Sequence, residues 1–436
     1  MTELYGKYCG CGYRVATDSR TIEGGEMFFA LRGENFDGNA YAQSALEKGA
    51  RWAVVNSDAE LPADDRFIRV DSPFETLRDL AAWHRNHVLE GKRLPVIGLT
   101  GTNGKTTTKE LITAVLSKKY RVVATQGNLN NDIGVPLSIL KITPDTQIAV
   151  IEMGASHPDD IARLVKVSQP DYGLITNVGR GHLLGFGSFD GVKAAKGELY
   201  KWLSSRDGSV VFLNNDDPDL REMARDWVSC HIWPYGLKYQ GVSVLPSSVG
   251  NPFLRLRLRS GRVVNTNLVG AYNSANVLAA LATGGYFGVK EDDAAEAIAS
   301  YVPRNNRSQL VKTARNTVIV DAYNANPSSM KAALENFAAL DAENKLALLG
   351  DMRELGGESL AEHEKVLAQL REYGIEACLV GEEFSGALKS LGLPADNWYA
   401  TSELLCTSLG SLSLSGRTVL VKGSHSIGME KVLEYL

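Results

Sequence analysis

The feature that most constrains this chain is an apolar run, residues 94–99, that leads straight into the segment Thr-Gly-Thr-Asn-Gly-Lys-Thr-Thr at 100–107. A buried strand that breaks into glycines and then opens a helix builds a phosphate-binding loop. The glycines let backbone N–H groups turn inward, and the helix adds its positive N-terminal end. Lys105 can then reach the outer phosphates of a nucleotide, and the Thr106 hydroxyl is placed to bind Mg²⁺.

The loop is a variant, because the strict pattern has a glycine where this chain has Leu99. A chance glycine-rich turn is the weaker interpretation, since a lysine and a threonine follow the last glycine directly. The sequence therefore predicts a nucleoside triphosphate site for ATP, formed by Gly101, Thr102, Asn103, Gly104, Lys105, Thr106 and Thr107.

Composition is that of an ordinary globular protein. The 436 residues suggest roughly two to four domains, and a net charge of −5 argues against a surface that coats nucleic acid. No stretch approaches the roughly 18 apolar residues of a membrane span, and residues 1–12 lack the apolar core of a signal peptide. Five scattered cysteines predict a cytoplasmic location. We interpret Cys9 and Cys11 as unbridged thiols rather than as metal ligands.

Alternating strand and helix patterns predict an α/β fold in three domains, 1–92, 93–312 and 313–436. The first is a small α/β domain, and the second is a mostly parallel sheet with helices on both faces around the phosphate loop. The third is a Rossmann-like α/β domain without the glycine fingerprint of a dinucleotide site. Predicted strands are 27–31, 52–55, 94–99, 121–124, 148–151, 173–176, 209–213, 317–320, 345–349, 377–380 and 418–421. Predicted helices are 41–48, 73–90, 327–340, 359–373 and 427–436.

Two local patterns carry finer predictions. Ser72, Pro73 and Glu75 form a capping box with proline at the first helical position, and we interpret His84 and His87 as part of that helix's solvated face. Leucine and arginine alternate through 254–264 around a Ser-Gly turn, which predicts a half-exposed hairpin. Its arginines are interpreted as a solvated face rather than as phosphate ligands.

Ligands of open parallel sheets bind at the carboxyl ends of the strands, so the residues that follow each central strand are candidate site residues. Glu152 ends one strand beside the phosphate loop and could hold Mg²⁺ directly or through water. His182 follows another strand in an irregular glycine-rich stretch, which favours a ligand or catalytic role. Lys193 and Lys196 lie on the next helix, where the pattern alone predicts solvated charges.

These residues together resemble the Mur ligase family, the ATP-dependent enzymes that build the peptide stem of bacterial cell-wall precursors. The resemblance covers nearly the whole chain. It is carried by the segments 100–107, 127–136, 152–154, 177–182, 195–196, 270–276, 321–327, 350–356 and 421–424. Within the family, the resemblance is strongest to the members that add D-alanyl-D-alanine to a UDP-N-acetylmuramoyl-tripeptide. It implies small-molecule substrates, no nucleic-acid or membrane partner, and a monomer.

The resemblance implies a reaction and its cofactors. ATP would phosphorylate the terminal carboxylate of the tripeptide, and the dipeptide amine would attack the acyl phosphate, releasing ADP and phosphate. Two Mg²⁺ ions would lie near Thr106, Glu152 and His182. Lys196, at the place of a family lysine that CO₂ carbamylates, would help hold the second ion as an anion.

Further site residues are implied in the same way. Asn273 and Asn276 would face the adenine, although helix capping is the alternative for both, and Asp321 would bind the ribose. Arg307 stands at the place of the arginine that meets the γ-phosphate, but Asn305 and Asn306 precede it where the family has glycine directly before the arginine. The substrate-side residues implied are Asn130, Asn131, Tyr323, Asn324 and Asn326, with Ser19 and Arg20 on the UDP-sugar.

Two other functions stay open on the sequence. Another ligase of the same fold, amino-acid-adding or of the folylpolyglutamate synthetase kind, would share the loop and Glu152. The Asp-Asn-Pro-Arg stretch of the diamino-acid-adding ligase is not in the sequence. A phosphate-loop regulatory protein is the alternative from another class, but it would have no need of Glu152, His182 and Lys196 around its nucleotide.

Overall fold

The strands of this computed structural model form three largely parallel sheets that follow one another along the chain. The structure describes residues 1–89, 91–247, 251–304, 306–412 and 414–436. Each sheet is the centre of one α/β unit, so the three-domain α/β prediction is confirmed. Within the described part of the chain, no helix is long and apolar enough to cross a bilayer.

The N-terminal unit is a small parallel sheet of four strands in the order β1-β2-β5-β6, with a separate two-stranded hairpin, β3-β4. Its strands are β1 (Val15–Ala16), β2 (Met27–Phe29), β3 (Arg32–Gly33), β4 (Phe36–Asp37), β5 (Trp52–Asn56) and β6 (Phe67–Val70). Its helices are α1 (Thr2–Gly10), α2 (Ala42–Glu47) and α3 (Pro73–His87), with 3-10 turns at Ser19–Thr21 and Gly38–Tyr41.

Helix α3 begins as the capping pattern predicts and joins the first unit to the second. The Ser72 hydroxyl accepts the Glu75 N–H at 3.2 Å, with Pro73 in the first turn. The helix ends at His87, earlier than the predicted Glu90, which lies outside the described residues. The prediction of a solvated face was wrong for His84. Its ring is fully buried, and its Nε2 lies 2.8 Å from the Ile142 carbonyl of the central unit.

The central unit is a parallel sheet of six strands in the order β12-β11-β10-β7-β9-β8. Its strands are β7 (Val96–Thr100), β8 (Val122–Ala124), β9 (Ile148–Glu152), β10 (Tyr172–Ile175), β11 (Val210–Asn214) and β12 (His231–Tyr235). Its helices are α4 (Lys105–Leu116), α5 (Gly134–Ile139), α6 (Asp160–Ser168), α7 (Leu183–Phe186), α8 (Phe189–Ser204) and α9 (Pro218–Trp227). The five predicted strands are present. The unpredicted β12 contains Pro234, which an edge strand tolerates.

An antiparallel sheet, β13-β14-β15, covers one side of this unit. It consists of β13 (Ser243–Leu245), β14 (Phe253–Arg257) and β15 (Val263–Val269), and it is flanked by α10 (Leu237–Gln240), α11 (Ser274–Tyr286) and α12 (Glu291–Ser300), with a 3-10 turn at Ala271–Asn273. Leu254 and Leu256 point into the core while Arg257 is exposed, so the half-exposed hairpin is confirmed.

The C-terminal unit is a second sheet of six strands, in the order β16-β17-β21-β18-β19-β20, in which β16 runs antiparallel to the rest. Its strands are β16 (Gln309–Lys312), β17 (Thr317–Asp321), β18 (Lys345–Gly350), β19 (Glu376–Val380), β20 (Trp398–Tyr399) and β21 (Thr418–Lys422). Its helices are α13 (Pro327–Ala339), α14 (Ser359–Tyr373), α15 (Glu382–Ser390) and α16 (Ser402–Leu412), with 3-10 turns at Gly356–Glu358, His425–Ile427 and Met429–Tyr435.

Two sequence predictions for this unit need correction, and two of its helices were not predicted. Strand β16 belongs to the C-terminal sheet, so that sheet begins before residue 313. The last segment, Met429–Tyr435, winds as a 3-10 helix rather than as the predicted α-helix. Helices α15 and α16 were not predicted, because α16 is rich in serine, threonine and glycine, which favour helices weakly.

Candidate active site

The glycine-rich segment forms a tight turn between β7 and α4. Gly101 has a φ of +146°, and a Cβ there would lie 2.0 Å from the Thr176 hydroxyl. Gly104 has a φ of +77°, and a Cβ there would lie 2.6 Å from the Asn276 side-chain oxygen. Only glycine fits either position without displacing a neighbour. Helix α4 therefore begins at Lys105, directly after the turn, so its N-terminus lies beside the backbone N–H groups of the loop.

The end of the neighbouring strand β10 holds this loop in place. Asn177 accepts the Asn103 N–H at 3.0 Å through its side-chain oxygen and donates to the Asn103 carbonyl at 2.9 Å. The Thr176 hydroxyl donates to the same carbonyl at 2.6 Å. Asn177 belongs to the segment 177–182 that carries the resemblance, but it was not predicted as a site residue. Its place directly after a parallel strand was the available signal.

Lys105, at the start of α4, folds back over the loop. Its Nζ donates to the Gly101 carbonyl at 2.8 Å and to the Thr102 carbonyl at 3.1 Å. Burial lowers the pKa of Lys105, and the Glu152 carboxylate opposes that shift. The ammonium is thus held where the outer phosphates of a bound nucleotide would lie.

Glu152 ends β9 beside the loop and is 1% exposed. Its Oε1 accepts from the Thr106 hydroxyl at 3.2 Å and from the Asn130 amide at 2.9 Å. Its Oε2 is buried and has no hydrogen-bond partner among the described residues. An orphaned carboxylate oxygen next to a hydroxyl is a donor set that suits Mg²⁺.

A cation at this position would depend on further ligands from a bound nucleotide. Over the described ranges, no three His, Cys, Asp or Glu side chains converge into a preformed metal cage. Mg²⁺ is commonly held by one or two carboxylates together with substrate phosphates rather than by a cage of protein ligands alone. Thr106 and Glu152 fit that role.

Lys196, on α8, is 2% exposed. Its Nζ lies 5.4 Å from the centroid of the Phe186 ring. Burial, helped by the positive charge of Lys105, lowers the pKa of Lys196 to about 7. Lys193, three residues earlier, instead pairs with Asp219 and Glu222 near the surface. The prediction of solvated charges from the helix pattern was therefore wrong for Lys196, and its lowered pKa makes the amine easier to deprotonate than an exposed lysine.

His182 lies in the stretch between β10 and α7, with a φ of +53°. Its Nδ1 is in contact with the Glu354 carboxylate of the C-terminal unit, without hydrogen-bond geometry. Burial lowers the pKa of His182, so the imidazole is predominantly neutral at pH 7. A neutral imidazole is the form that can bind a metal.

The C-terminal unit contributes Arg307 to the site. The Arg307 guanidinium carbon lies 3.6 Å from the centroid of the Tyr323 ring, and Nε is buried without a hydrogen-bond partner among the described residues. Asn306 has a φ of +55°, in the left-handed region that glycine favours and asparagine tolerates. Asparagine can therefore stand where the family has glycine. Asn305 lies outside the described residues.

Asp321 and Lys422 form an ion pair at the ends of β17 and β21, in which the lysine is buried and the carboxylate partly buried. Lys422 Nζ donates to Asp321 Oδ2 at 2.5 Å and to the Asn324 carbonyl at 3.3 Å. The other Asp321 oxygen accepts the Ser308 N–H at 3.3 Å. Lys422 is a site residue that sequence reasoning missed, although it follows the same rule of strand ends that pointed to Glu152.

Asn273 and Asn276 form a bonded pair at the start of α11. The Asn276 amide donates to the Asn273 side-chain oxygen at 2.9 Å, and the Thr108 hydroxyl donates to Asn276 at 3.0 Å. Asn273 occupies the N-cap position without a side-chain capping bond. Capping by Asn273 is therefore not the explanation for this residue.

A cavity of about 860 Å³ connects these groups. It brings together sixteen of the residues predicted for the site: Thr102, Asn103, Gly104, Lys105, Thr106, Thr107, Asn130, Asn131, Glu152, His182, Asn273, Asn276, Arg307, Asp321, Tyr323 and Asn324. Asp132, Asp160 and Arg163 also line it and were not predicted. For Asp132 the available signal was its place inside the segment 127–136, and for Asp160 and Arg163 it was their place in the first turn of α6.

Five predicted residues do not line the cavity. Gly101 and Lys196 lie behind it, in contact with or electrostatically coupled to Lys105. Asn326 caps α13 and donates to the Asn103 side chain at 2.8 Å. Ser19 and Arg20 are in the N-terminal unit, where Arg20 pairs with Asp18 at the surface.

The C-terminal unit is seated on the phosphate loop. Besides the bond between Asn103 and Asn326, Arg180 pairs with Glu358 at 2.8 Å and its N–H lies 3.3 Å from the Ser328 hydroxyl. These contacts close the cavity around the nucleotide side of the site.

Comparison with known proteins gives matches along the whole chain. Residues 99–284 match the "Mur ligase middle domain", residues 306–425 the "Mur ligase, glutamate ligase domain" and residues 13–85 the "Mur ligase family, catalytic domain". The curated UDP-N-acetylmuramoyl-tripeptide–D-alanyl-D-alanine ligase of Bacillus subtilis is 34% identical over 97% of this chain and 92% of its own length. The protein of that name from Escherichia coli is 35% identical over 97% and 93%.

Solved structures agree with these matches. The UDP-N-acetylmuramoylalanyl-D-glutamyl-2,6-diaminopimelate–D-alanyl-D-alanyl ligase of Acinetobacter baumannii has a TM-score of 0.80 at 30% identity, covering 97% of this chain and 92% of its own. MurF ligase from Thermotoga maritima, solved in complex with ADP, has a TM-score of 0.81 at 26% identity, covering 97% and 96%. Folylpolyglutamate synthase of Mycobacterium tuberculosis, at 16% identity and a TM-score of 0.64 over 83% and 94%, shares the fold alone.

Proposed function

The chain belongs to the Mur ligase family, and we propose that it is an ATP-dependent ligase that joins D-alanyl-D-alanine to UDP-N-acetylmuramoyl-tripeptide. The product is the UDP-linked pentapeptide precursor of peptidoglycan. The observation that carries this proposal is the convergence of Lys105 and an under-satisfied Glu152 on one cavity that the C-terminal unit closes. A nucleotide-binding switch needs no such arrangement. We further propose that the protein acts as a monomer in the cytoplasm.

The reaction has two steps. A carboxylate oxygen of the tripeptide attacks the γ-phosphorus of ATP, and the bond between that phosphorus and the β-phosphate oxygen breaks. ADP is the leaving group, and the tripeptide becomes an acyl phosphate. The dipeptide amine then attacks the acyl carbon, which forms a tetrahedral intermediate. This intermediate loses a proton and expels phosphate, and the amide bond is complete. In phosphoryl transfer the protein mainly positions groups and neutralises charge, so the cationic residues contribute most to stabilising the transition state.

Lys105 and Arg307 approach the phosphates from two units. Lys105 is fixed over the loop by two carbonyls, and the positive charge of Arg307 acts on it across the cavity. We assign the β- and γ-phosphates to Lys105 and the charge that develops on the γ-phosphate to Arg307. Loop residues 101–107 supply N–H groups and the positive end of α4.

Mg²⁺, when bound, neutralises phosphate charge and acts as a Lewis acid. We assign one ion to Thr106 and Glu152, and a second to Glu152, His182 and a carbamylated Lys196. The buried amine of Lys196, with its pKa lowered to about 7, suits carbamylation. The lone pair of the neutral amine forms a bond to the carbon of CO₂, one C–O π pair moves onto oxygen, and one proton is released to give the carbamate anion. Starting from the ammonium form, two protons are released in all, so that a buried cation is replaced by an anion.

The remaining assignments concern recognition. We propose that Asn273 and Asn276 face the adenine and that Asp321 binds the ribose. Asn130 and Asn131 would contact the tripeptide, while Tyr323, Asn324 and Asn326 lie toward the dipeptide or hinge. Ser19 and Arg20 would hold the UDP-sugar in the N-terminal unit, residues 1–92, while the central unit binds ATP and the C-terminal unit binds the dipeptide.

Release of ADP tests the proposal directly. The purified protein is given ATP, Mg²⁺ and UDP-muramoyl-tripeptide, with and without D-alanyl-D-alanine. We expect sustained ADP release only when both the tripeptide and D-alanyl-D-alanine are present. Mass spectrometry should then identify the UDP-linked pentapeptide as the product. ADP release that ignores the dipeptide would favour a switch, whereas turnover with glutamate or a free diamino acid in its place would favour another ligase of the fold.

A further inference from the structure

Asp132, Asp160 and Arg163 form one wall of the cavity that neither the nucleotide nor the metal assignments use. We call this set the acidic–basic wall. It follows Asn130 and Asn131, and Asn130 bonds Glu152 at 2.9 Å. The negative charge of Asp160 also acts on Lys196. The wall therefore lies next to Glu152 and Lys196, the groups assigned to the metal ions at the γ-phosphate.

Asp160 serves to fix Arg163. One Asp160 oxygen accepts the N–H groups of Ser156 and His157, both at 2.8 Å, and the other accepts Arg163 Nη2 at 2.5 Å. With both oxygens engaged, this carboxylate holds the guanidinium in place. Arg163 Nη2 also reaches Asp132 Oδ2 at 3.4 Å. Both contacts use the same nitrogen, and within the described ranges Nε and Nη1 have no hydrogen-bond partner, so their protons can serve a ligand.

Asp132 is the incompletely paired member of the wall. Its Oδ1 is buried and has no hydrogen-bond partner within the part of the chain that the structure describes. A buried carboxylate oxygen without a donor is costly, and a ligand that supplies an ammonium group would remove that cost. The wall thus presents a carboxylate acceptor for a cation beside a guanidinium donor for an anion.

We propose that the acidic–basic wall binds the free amino-acid end of the third residue of the tripeptide, a residue of the 2,6-diaminopimelate type. This inference rests on the proposed function. The carboxyl group of that residue must react at the γ-phosphate, so its side chain leaves the reaction centre toward the neighbouring walls. A diaminopimelate side chain ends in an ammonium and a carboxylate on one carbon, which Asp132 and Arg163 match side by side. A lysine side chain would engage Asp132 alone.

The test compares three UDP-muramoyl-tripeptides that differ only in their third residue: diaminopimelate, lysine and norleucine. For the wild type we expect the lowest KM with diaminopimelate and the highest with norleucine. Arg163→Gln should raise KM at least tenfold for the diaminopimelate substrate and less than twofold for the lysine substrate. Asp132→Asn should raise KM for both charged substrates and leave norleucine unchanged. The KM for ATP should not move in either variant.

Asp159→Asn is the matched control for Asp132→Asn. It also removes one negative charge, one residue from Asp160, but at a position that does not line the cavity. If Arg163→Gln does not fold, Arg163→Lys takes its place, because it keeps the positive charge but loses the two-pronged geometry. It should raise the KM for the diaminopimelate substrate, relative to the KM for the lysine substrate, by less than Arg163→Gln. A wild type that prefers lysine, or variants that change all three KM values equally, would overturn the inference. If no tripeptide supports ADP release in the wild type, the proposed function itself fails.

Discussion

Lys196 of the central unit and Lys422 of the C-terminal unit are 2% and 1% exposed, but their charges are handled in opposite ways. Lys422 is paired with the Asp321 carboxylate at 2.5 Å. Lys196 has an aromatic ring beside it and no carboxylate within ion-pair distance among the described residues. A buried charge without a partner costs stability and shifts its pKa instead. The difference teaches that a buried lysine can be accommodated in two ways: the C-terminal one has a carboxylate beside it, whereas the central one has none within ion-pair distance among the described residues and its pKa is lowered.

The largest effect should come from removing the reactive amine. Lys196→Ala is expected to lower kcat by about 10³-fold, since an electrostatic group at a charge-transfer site contributes on this order. Added formate or acetate should restore part of the activity by standing in for the missing carbamate. Lys193→Ala, on the same helix but paired at the surface, should keep nearly full activity. Activity of Lys196→Ala equal to that of the control would break the contrast.

The paired lysine should matter first for stability. Lys422→Met leaves the Asp321 carboxylate without its partner, and we expect a loss of about 3 kcal/mol in the free energy of unfolding. The double variant Lys422→Met, Asp321→Leu should recover most of that loss. Urea denaturation of the wild type and the two variants measures both values. A single variant as stable as the wild type would show that the pair contributes nothing net.

Burial of Lys196 should also make the free energy of unfolding depend on pH. The pKa of Lys196 is about 7 in the folded chain and about 10.4 when unfolded. Between these values the unfolded chain binds more protons, so the free energy of unfolding rises with pH, by at most about 1.4 kcal/mol per pH unit. Lys196→Met should lack this slope. Denaturation in CO₂-free buffer from pH 7 to 10 compares the two, and parallel curves would contradict the lowered pKa.

The smallest effect concerns the turn that carries Arg307 from the C-terminal unit toward Lys105. Asn306 has a positive φ of +55°, so Asn306→Gly should leave the free energy of unfolding within about 0.5 kcal/mol. Asn306→Val should cost about 1–2 kcal/mol, because a branched side chain is strained there. It should also raise the KM for ATP by misplacing the guanidinium. Thermal unfolding and ADP release measure the two effects, and equal values for glycine and valine would show that the backbone conformation differs.

Much of the fold could be predicted because the pattern was local. The glycine-rich turn after β7, the N-cap at Ser72 and the alternating leucines at 254–258 each depend on residues close in sequence, and the structure confirms each of these elements. The second half of the predicted capping box does not form among the described residues, because the Glu75 carboxylate pairs with Arg78. Strand β12 and helix α16 could not be predicted in the same way. A proline in one and many serines in the other contradict local propensity, and tertiary packing overrides it.

The site was predicted unevenly for a similar reason. The rule of strand ends pointed to Glu152 and His182, and the same rule could have found Asn177 and Lys422. His84 was placed on a solvated face because periodicity cannot show that another unit packs over a helix. Asp132 and Arg163 lie 31 residues apart and meet only in the folded cavity. No local pattern marks such a pair.

By itself, the sequence determined the chemistry that each segment could offer: a glycine loop that can bend around phosphates, acidic and cationic residues at strand ends, and three α/β units in order. Only the tertiary structure decided which of these groups share one cavity, which charges find partners and which stay without one. The physical reason is that burial and charge pairing depend on neighbours distant in sequence. Lys193 and Lys196 read alike along the chain, yet one is paired near the surface and the other is buried with its pKa lowered to about 7.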